Sequence, residues 1–345
     1  MANELILITG ISGFLGFATA LDALESGYSV RGVVRNKSQI HTIKSALPAV
    51  FHSKVEIVTV SDLAAKGAFN EVVKGSTGVI HIASPIGIAS QDFERDYFRP
   101  SVDITLSLLS AAAAAATVKR VVITSSVSAY IPTLEFASGK LSKEVIHTAD
   151  LNIGDDDFVH YTGKEQFPHH LFAYAASKSL ALDAVDNFVK TKSPPFDVVV
   201  LVPSFVFGAG KLDQSADEFV RGSNALLLGH LLGKPTGPLL TISVHIDDVA
   251  RSHVEALKPS VPAGKYLLDS EETDWSVARA VVKQHFPDQV GKLFPEEVET
   301  KTIKLHLDGS KAEKAFGIRF KSFEEQVKET VGYYLNLLAK EKTDL

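Results

Sequence analysis

Apolar runs of strand length recur through the first 200 positions: LILIT at 5–9, YSVRGVV at 28–34, VEIVTV at 55–60, GVIHIA at 78–83, RVVITS at 120–125 and FDVVVLV at 196–202. Between them lie segments with helical character, such as FLGFATALDALESG and SVDITLSLLSAAAAAATV. Near-continuous Val/Ile runs need cover on both faces, which a parallel sheet between two helical layers provides. Residues 1–202 are therefore expected to form a doubly wound, Rossmann-type α/β domain. Beyond PSFVFGAG at 203–210 the pattern loosens into Gly/Pro-punctuated segments such as LLGKPTGPL. Strand character returns at LLTISV (239–244) and KYLLD (265–269), so the region near 239–269 is expected to return to the sheet. The closing FEEQVKETVGYYLNLLAK reads as an amphipathic helix. Residues 203–238 and 270–345 are assigned to a smaller, C-terminal substrate-binding lobe over the sheet's edge.

Composition narrows the partners. At 345 residues and 45% apolar content the chain can bury a sizeable core, and its net charge of −6 comes from interspersed acidic and basic residues. With no Lys/Arg block, nucleic acid and anionic membranes are disfavoured as partners, and small neutral or anionic metabolites stay open. The absence of cysteine removes disulfides and thiolate metal sites and fits a reducing, cytoplasmic setting. MANE runs directly into LILITG without the basic segment of a signal peptide. The apolar stretch at 104–118 is interrupted by Ser and Thr and falls short of the ~20 residues that span a bilayer. Its six consecutive alanines read as a helix packed closely on a sheet.

The candidate chemistry begins after the first strand. TGISGFLG spaces Gly10, Gly13 and Gly16 as Gly-x-x-Gly-x-x-Gly, where glycines let backbone N–H groups and a helix N-terminus approach a pyrophosphate. An acidic residue at the end of the second strand would hold the ribose 2′-hydroxyl of NAD, whereas a basic one accommodates the 2′-phosphate of NADP. Here the strand runs into VRGVVRNKS, so Arg35, with Lys37 beside it, favours NADP(H). Asp62, in TVSDL, either faces the adenine or caps the next helix. Ser125 and Ser126 fall at the carboxyl end of the fifth strand, where a hydroxyl can donate to a carbonyl oxygen that is gaining charge. In FAYAASKSLALDAV, Tyr174 and Lys178 stand one helical turn apart on one face; a cation near a phenol favours the phenolate and so lowers its pKa toward the working pH. Histidines 147, 160, 169 and 170 fit no common ligand spacing, and no metal is expected. Asp247 and Asp248 stand where a helix begins and read as capping residues.

Taken together, GISGFLG, TSS and YAASK resemble the extended short-chain dehydrogenase/reductase superfamily, and ASP (83–85), PSFVFGAG, HIDDVA (245–250) and DGSKAEKAFGIRF (308–320) are similar to its further signatures. Arg35 and VPSFVFGAG look most like the dihydroflavonol-4-reductase-like branch, especially its fungal NADPH-dependent aldehyde and ketone reductases. The resemblance implies that Ser126, Tyr174 and Lys178 are catalytic. It implies NADP(H) contacts from Gly10, Ser12, Gly13, Phe14, Leu15, Gly16, Arg35, Lys37, Asp62, Leu63, Ala83, Ser84, Pro85, Thr124, Tyr174, Lys178, Pro203, Ser204 and Val206. A mostly apolar substrate pocket is expected around Ile86, Tyr130, Phe205, Phe207 and Leu226, taking a hydrophobic aldehyde or ketone. HLFAYAASK replaces the box that cinnamoyl-CoA reductases carry at this place, which argues against a CoA thioester. An NAD-dependent epimerase or hydroxysteroid-type dehydrogenase would use the same triad, and a non-catalytic dinucleotide sensor would need only the glycine turn. Monomer and homodimer both remain open.

Overall fold

The computed structural model describes residues 4–85, 92–131, 146–147, 158–234, 239–272, 274–298, 302–303 and 305–343. Among them the strands of three or more residues are β1 (Leu5–Thr9), β2 (Ser29–Val34), β3 (Val55–Thr59), β4 (Gly78–His81), β5 (Arg120–Thr124), β6 (Asp197–Pro203), β7 (Phe205–Phe207), β8 (Ser243–His245) and β9 (Gly264–Leu268). The helices are α1 (Phe14–Glu25), α2 (Ser38–Ala46), α3 (Arg99–Ala114), α4 (His170–Lys192), α5 (Ala216–Phe219), α6 (Gly222–Leu231), α7 (Ile246–Glu255), α8 (Ser276–His285), α9 (Ser310–Phe316) and α10 (Phe323–Thr343).

Seven strands form one parallel sheet in the order β3-β2-β1-β4-β5-β6-β9. The order reverses between β1 and β4, which opens a crevice at the carboxyl ends of those strands. Alternate residues of the central strands feed two cores. Leu7, Val79, Val121 and Ile123 face Leu108, Leu109, Ala111 and Ala112 of α3 and Leu182 and Val185 of α4. Ile6, Ile8, Ile80 and Val122 face Phe17, Leu21 and Leu24 of α1 and Val249 and Val254 of α7. Period-two side-chain alternation with both faces apolar is why these strands read as unbroken hydrophobic runs. The alanine run ends α3, and its first two members are buried against the sheet.

KYLLD does return to the main sheet, as β9 beside β6, whereas LLTISV does not. Its last residues form β8, which pairs with β7 away from the seven-stranded sheet. The departure has a local cause. β6 ends at Pro203, and the N–H and hydroxyl of Ser204 both donate to Leu268 O, 3.0 and 3.1 Å away, so the chain turns off the sheet there. A third core then forms beyond the sheet from Phe207, Phe219, Leu227, Leu228, Leu231, Trp275, Val281, Val282, Phe294, Phe323, Val327 and Val331. The carboxylates Asp247 and Asp248 sit in the first turn of α7, whose cap is instead His245, its ring accepting from Asp247 N. Lys321 locks α10 to this turn: its Nζ lies 2.8 Å from Asp247 Oδ2 and 3.5 Å from Glu329 Oε2, and its N–H donates to Asp248. The His245 imidazole and the Lys321 charge together hold Glu329 down to about 2, against the opposing effect of burial. No helix among the described residues is long and apolar enough to cross a membrane.

Asn224 clamps the start of this lobe. Its buried amide accepts from Gly208 N at 3.3 Å and donates to Gly208 O at 2.9 Å, satisfying both backbone groups where φ is +137°. Replacing it by Leu strands an interior N–H and C=O, each worth about 1–3 kcal/mol. Asn224→Leu should therefore lower the urea midpoint clearly, and an unchanged midpoint would show that the clamp is dispensable.

Candidate active site

The three glycines of the first turn do separate jobs. Gly10 adopts φ +77°, and a Cβ there would lie 2.9 Å from Ala83 N; one at Gly16 would lie 2.0 Å from Gly10 O. Gly13 is exposed, and an added Cβ would meet only Gly10 O within 4 Å, at 3.3 Å. The first and third glycines thus fix the turn and its packing, while the middle one presents open backbone at the N-terminus of α1. Ser12, Phe14 and Leu15 are half-buried around it. Arg35 and Lys37 are exposed immediately after β2, and Gln39 Nε2 donates to Ser12 Oγ at 3.0 Å, tying this basic turn to the glycine turn. Asp62 is exposed and accepts from Ala64 N at 3.0 Å, so its carboxylate caps a turn; Leu63 is core.

Across the switch point, β5 delivers Ser125 and Ser126. The Ser125 hydroxyl is buried and has no hydrogen-bond partner among the described residues. Ser126 Oγ accepts from both Ser128 N, at 3.2 Å, and Ser128 Oγ, at 2.9 Å. Its own proton is thereby directed to the phenol oxygen of Tyr174, with which it is hydrogen-bonded. The phenol O–H is left free to donate elsewhere. Lys178 is buried at 5% exposure, its Nζ 3.4 Å from Thr124 O and 5.7 Å from the Tyr174 ring centroid. The buried residues on either side of Lys178 in α4, Ala173, Ala175, Ala176, Ser177 and Ser179, are small, while Leu182 and Val185 on the lysine's own face pack into the core, and the lysine reaches the end of β5 at Thr124 O.

Burial reverses the expected electrostatics of this pair. The spacing predicts a phenol pulled down by its lysine. Instead, burial pushes Tyr174 up to about 12, opposed only by the Ser126 hydrogen bond, and pushes Lys178 down to about 8. Desolvation disfavours both charged forms, and the ammonium stands over the ring, 5.7 Å from its centroid.

Two buried histidines join this edge that the motifs did not single out. His81, in β4, has Nδ1 2.7 Å from Thr9 Oγ1, which also accepts from Ile82 N and Ala83 N, both at 3.2 Å. Burial, helped by the Lys178 charge, holds this ring down to about 3. His253, in α7, has Nε2 2.6 Å from Thr124 Oγ1 and Nδ1 2.7 Å from Val249 O, and burial holds it down to about 4. Their sequence signal was a histidine inside an otherwise apolar strand or helix face, GVIHIA and VARSHV. A ring cluster was missed as well. Phe93, Tyr97, Phe98 and Tyr161 surround Phe167 or one another edge-to-face, and the cluster packs against Tyr174.

The expected pocket residues part company. Ala83, Ser84, Pro85, Phe205 and Val206 are half-buried, and Leu226 is partly buried against the third core. Tyr130 is buried with its ring 5.9 Å from Phe158, and Pro203 and Ser204 are buried. Phe207 has no exposed surface: it lies under Trp275 and Phe323 in the core of the lobe and does not wall a pocket. Ile86 lies outside the described residues. Of the histidines, His160 pairs with Asp183 at 2.9 Å, His169 caps α4, and His170 stacks on His169, while the side chain of His147 lies outside the described residues.

The model of the NAD dependent epimerase/dehydratase family matches residues 6–268. A ketoreductase of Aspergillus fumigatus, sphI, is 36% identical over 97% of this chain and 98% of its own length. A ketoreductase of Cercospora beticola is 32% identical over 99% and 98%. Among solved structures, the yeast methylglyoxal/isovaleraldehyde reductase in complex with NADPH superimposes with a TM-score of 0.82 at 22% identity, over 97% of this chain and 99% of that one.

The buried ammonium has a consequence for stability. Lys178 ionises near 8 in the folded chain and near its ordinary 10.5 when unfolded, so below pH 8 it is charged in both states but desolvated in only one. Between pH 8 and 10 the unfolded state binds more protons, and this lysine makes stability rise with pH. Lys178→Met should be more stable than wild type at pH 7, by a few kcal/mol at about 1.4 kcal/mol per pKa unit. That advantage should shrink from pH 8 to 10; thermal melts of both proteins across this range would show it, and parallel curves would rule it out.

Proposed function

The chain belongs to the NAD dependent epimerase/dehydratase family, the extended short-chain dehydrogenase/reductases, and from that footing we propose that it is an NADPH-dependent carbonyl reductase. Its substrate is a hydrophobic aldehyde or ketone, of the kind met in secondary metabolism. The observation that carries the reading is the Ser126–Tyr174 hydrogen bond beside the buried Lys178, at the carboxyl edge of the sheet.

The glycine turn and the N-terminus of α1 suit a pyrophosphate, since Gly13 leaves its backbone open where a side chain would obstruct it. Arg35 and Lys37, both exposed and with no acid at the end of β2, suit a 2′-phosphate. NADPH, when bound, supplies the hydride to the carbonyl carbon. Tyr174 gives its free O–H proton to the carbonyl oxygen, a transfer suited to a phenol kept neutral by burial. Ser126, with its one proton on the phenol oxygen, orients the Tyr174 donor toward the carbonyl oxygen. As Tyr174 gives up its proton, the Ser126 donor and the Lys178 ammonium favour the phenolate left behind. Lys178 also serves the nicotinamide ribose. Phe205 and Leu226 supply apolar surface for the substrate, whereas Tyr130, 1% exposed, lies behind the wall like Phe207, and this supports an aromatic or aliphatic carbonyl compound over a sugar nucleotide.

The test follows the absorbance of the reduced nicotinamide with NADPH or NADH against aliphatic aldehydes, diketones and aromatic ketones. Wild type should consume NADPH, and Tyr174→Phe should lose about 10²- to 10⁴-fold in rate, the usual contribution of a positioned acid. A Phe variant as active as wild type would end the reductase reading. Arg35→Asp should lower the preference for NADPH over NADH by about 10- to 100-fold, the worth of a hydrogen bond to a charged group. An unchanged ratio would remove Arg35 from the cofactor assignment.

A further inference from the structure

Among the described residues, the Lys178 ammonium makes one hydrogen bond, to Thr124 O, and that bond is long at 3.4 Å. Thr124 is also held from its other side. Val249 O can only accept, so the His253 Nδ1 at 2.7 Å from it must carry a hydrogen. The ring is fully buried and neutral, which leaves Nε2 as a bare acceptor. The Thr124 hydroxyl, 2.6 Å away, must therefore donate to it. One residue thus spends its side chain on α7 and its carbonyl on Lys178, and the next two residues are Ser125 and Ser126.

A stability role alone explains this pair poorly. α7 is already fastened by Ile246, Val249, Ala250 and Val254, all buried against the sheet and α1. Replacing both members of a hydrogen-bonded pair by apolar groups of similar shape is close to neutral for stability, so packing gives no reason for a polar pair here. What apolar residues would not do is set the rotation of the Thr124 peptide.

Resting on the reductase reading above, we propose that His253 and Thr124 are positioning residues. Through Thr124 O they hold the Lys178 ammonium, and through the end of β5 they hold Ser126, in register with Tyr174. Neither touches the reacting atoms; each acts through the lysine and the serine.

The experiment uses the full chain with NADPH and a carbonyl substrate that wild type turns over. It compares Thr124→Val, which keeps the shape and loses the donor, with Thr124→Ser, which loses a methyl and keeps the donor. Thr124→Val and His253→Phe should each lower kcat by about 10- to 100-fold, the scale of a 1 Å misplacement, with the KM for the carbonyl compound little changed. Thr124→Ser should stay near wild type. A packing role reverses that order, so the Ser variant decides the question even where Val or Phe fails to fold. The alkaline limb of kcat/KM should move to lower pH in the Val variant, because the carbonyl of residue 124, no longer held by the His253 bond, turns from the ammonium and favours its charged form less. The other groups around Lys178 are unchanged in that comparison: Tyr174 on its own helix, His81 on β4, Ser125 on β5, and Ser101 and Thr105 on α3. The double variant should be no worse than the poorer single one. Wild-type kcat and limb in Thr124→Val, or multiplicative losses in the double variant, would overturn the proposal. Full activity in Tyr174→Phe would instead overturn the reductase reading beneath it.

Discussion

A lysine ammonium carried inside the protein at the carboxyl edge of a parallel sheet is the constraint around which this site is organised. Taking such a charge from water is expensive, and here one long hydrogen bond to Thr124 O and the Tyr174 ring, its centroid 5.7 Å from Nζ, are its direct compensation among the described residues. The surroundings make the burial tolerable by keeping other cations away. His81 and His253, the buried imidazoles of this edge, are held neutral, at about 3 and about 4. The lysine's side chain spans from α4 to the end of β5, where the Thr124 carbonyl is reached. The two Thr–His pairs then fix the ends of β1, β4 and β5 with side-chain bonds, which backbone pairing alone leaves free.

The tyrosine is tuned by the same desolvation. A phenol pushed up to about 12 and a lysine pushed down to about 8 are what two groups do when burial outweighs their attraction. That arrangement suits a proton donor better than a proton acceptor. The phenol stays protonated across the working range, and the ammonium beside it gains its full effect only when the phenolate begins to form. Ser126 contributes in the same sense, because Ser128 fills both of its acceptor positions and turns its proton toward the phenol oxygen.

Much of this was legible in the sequence, and the limits have physical reasons. The six long apolar runs fall where β1 to β6 form, because a strand buried on both faces has no polar positions to blur its ends. The glycine spacing announced its turn because a side chain at Gly10 or Gly16 would collide with backbone. LLTISV misled because short apolar runs look alike whether they join a main sheet or a two-stranded side pair; what diverts them is Pro203 and Ser204, forty residues upstream by about the length of a crossover unit. Phe207 misled for a related reason: a phenylalanine in an apolar lobe serves core and pocket equally well on composition, and only the placement of Trp275 and Phe323 decides. The fall in Lys178 and rise in Tyr174 were illegible because i,i+4 spacing states proximity and says nothing of burial.

In the proposed reductase, what holds the chemistry is also separate from what selects the substrate. Every residue assigned to proton movement stands on α4 or just beyond the end of β5, elements packed into a core made of strands and helices of the main sheet. The residues left to meet the substrate, Phe205 and Leu226, stand where the chain has left that sheet and are braced from behind by the third core. The Lys321 carboxylate cluster ties this second layer to α7 by polar bonds, while Asn224 pins Gly208 within the layer itself. Changes in the volume of the third core can therefore reshape the apolar wall while the serine, tyrosine and lysine keep their register. On the proposed reading, substrate range follows from the packing behind Phe205 and Leu226, and the proton chemistry follows from the end of β5 and from α4.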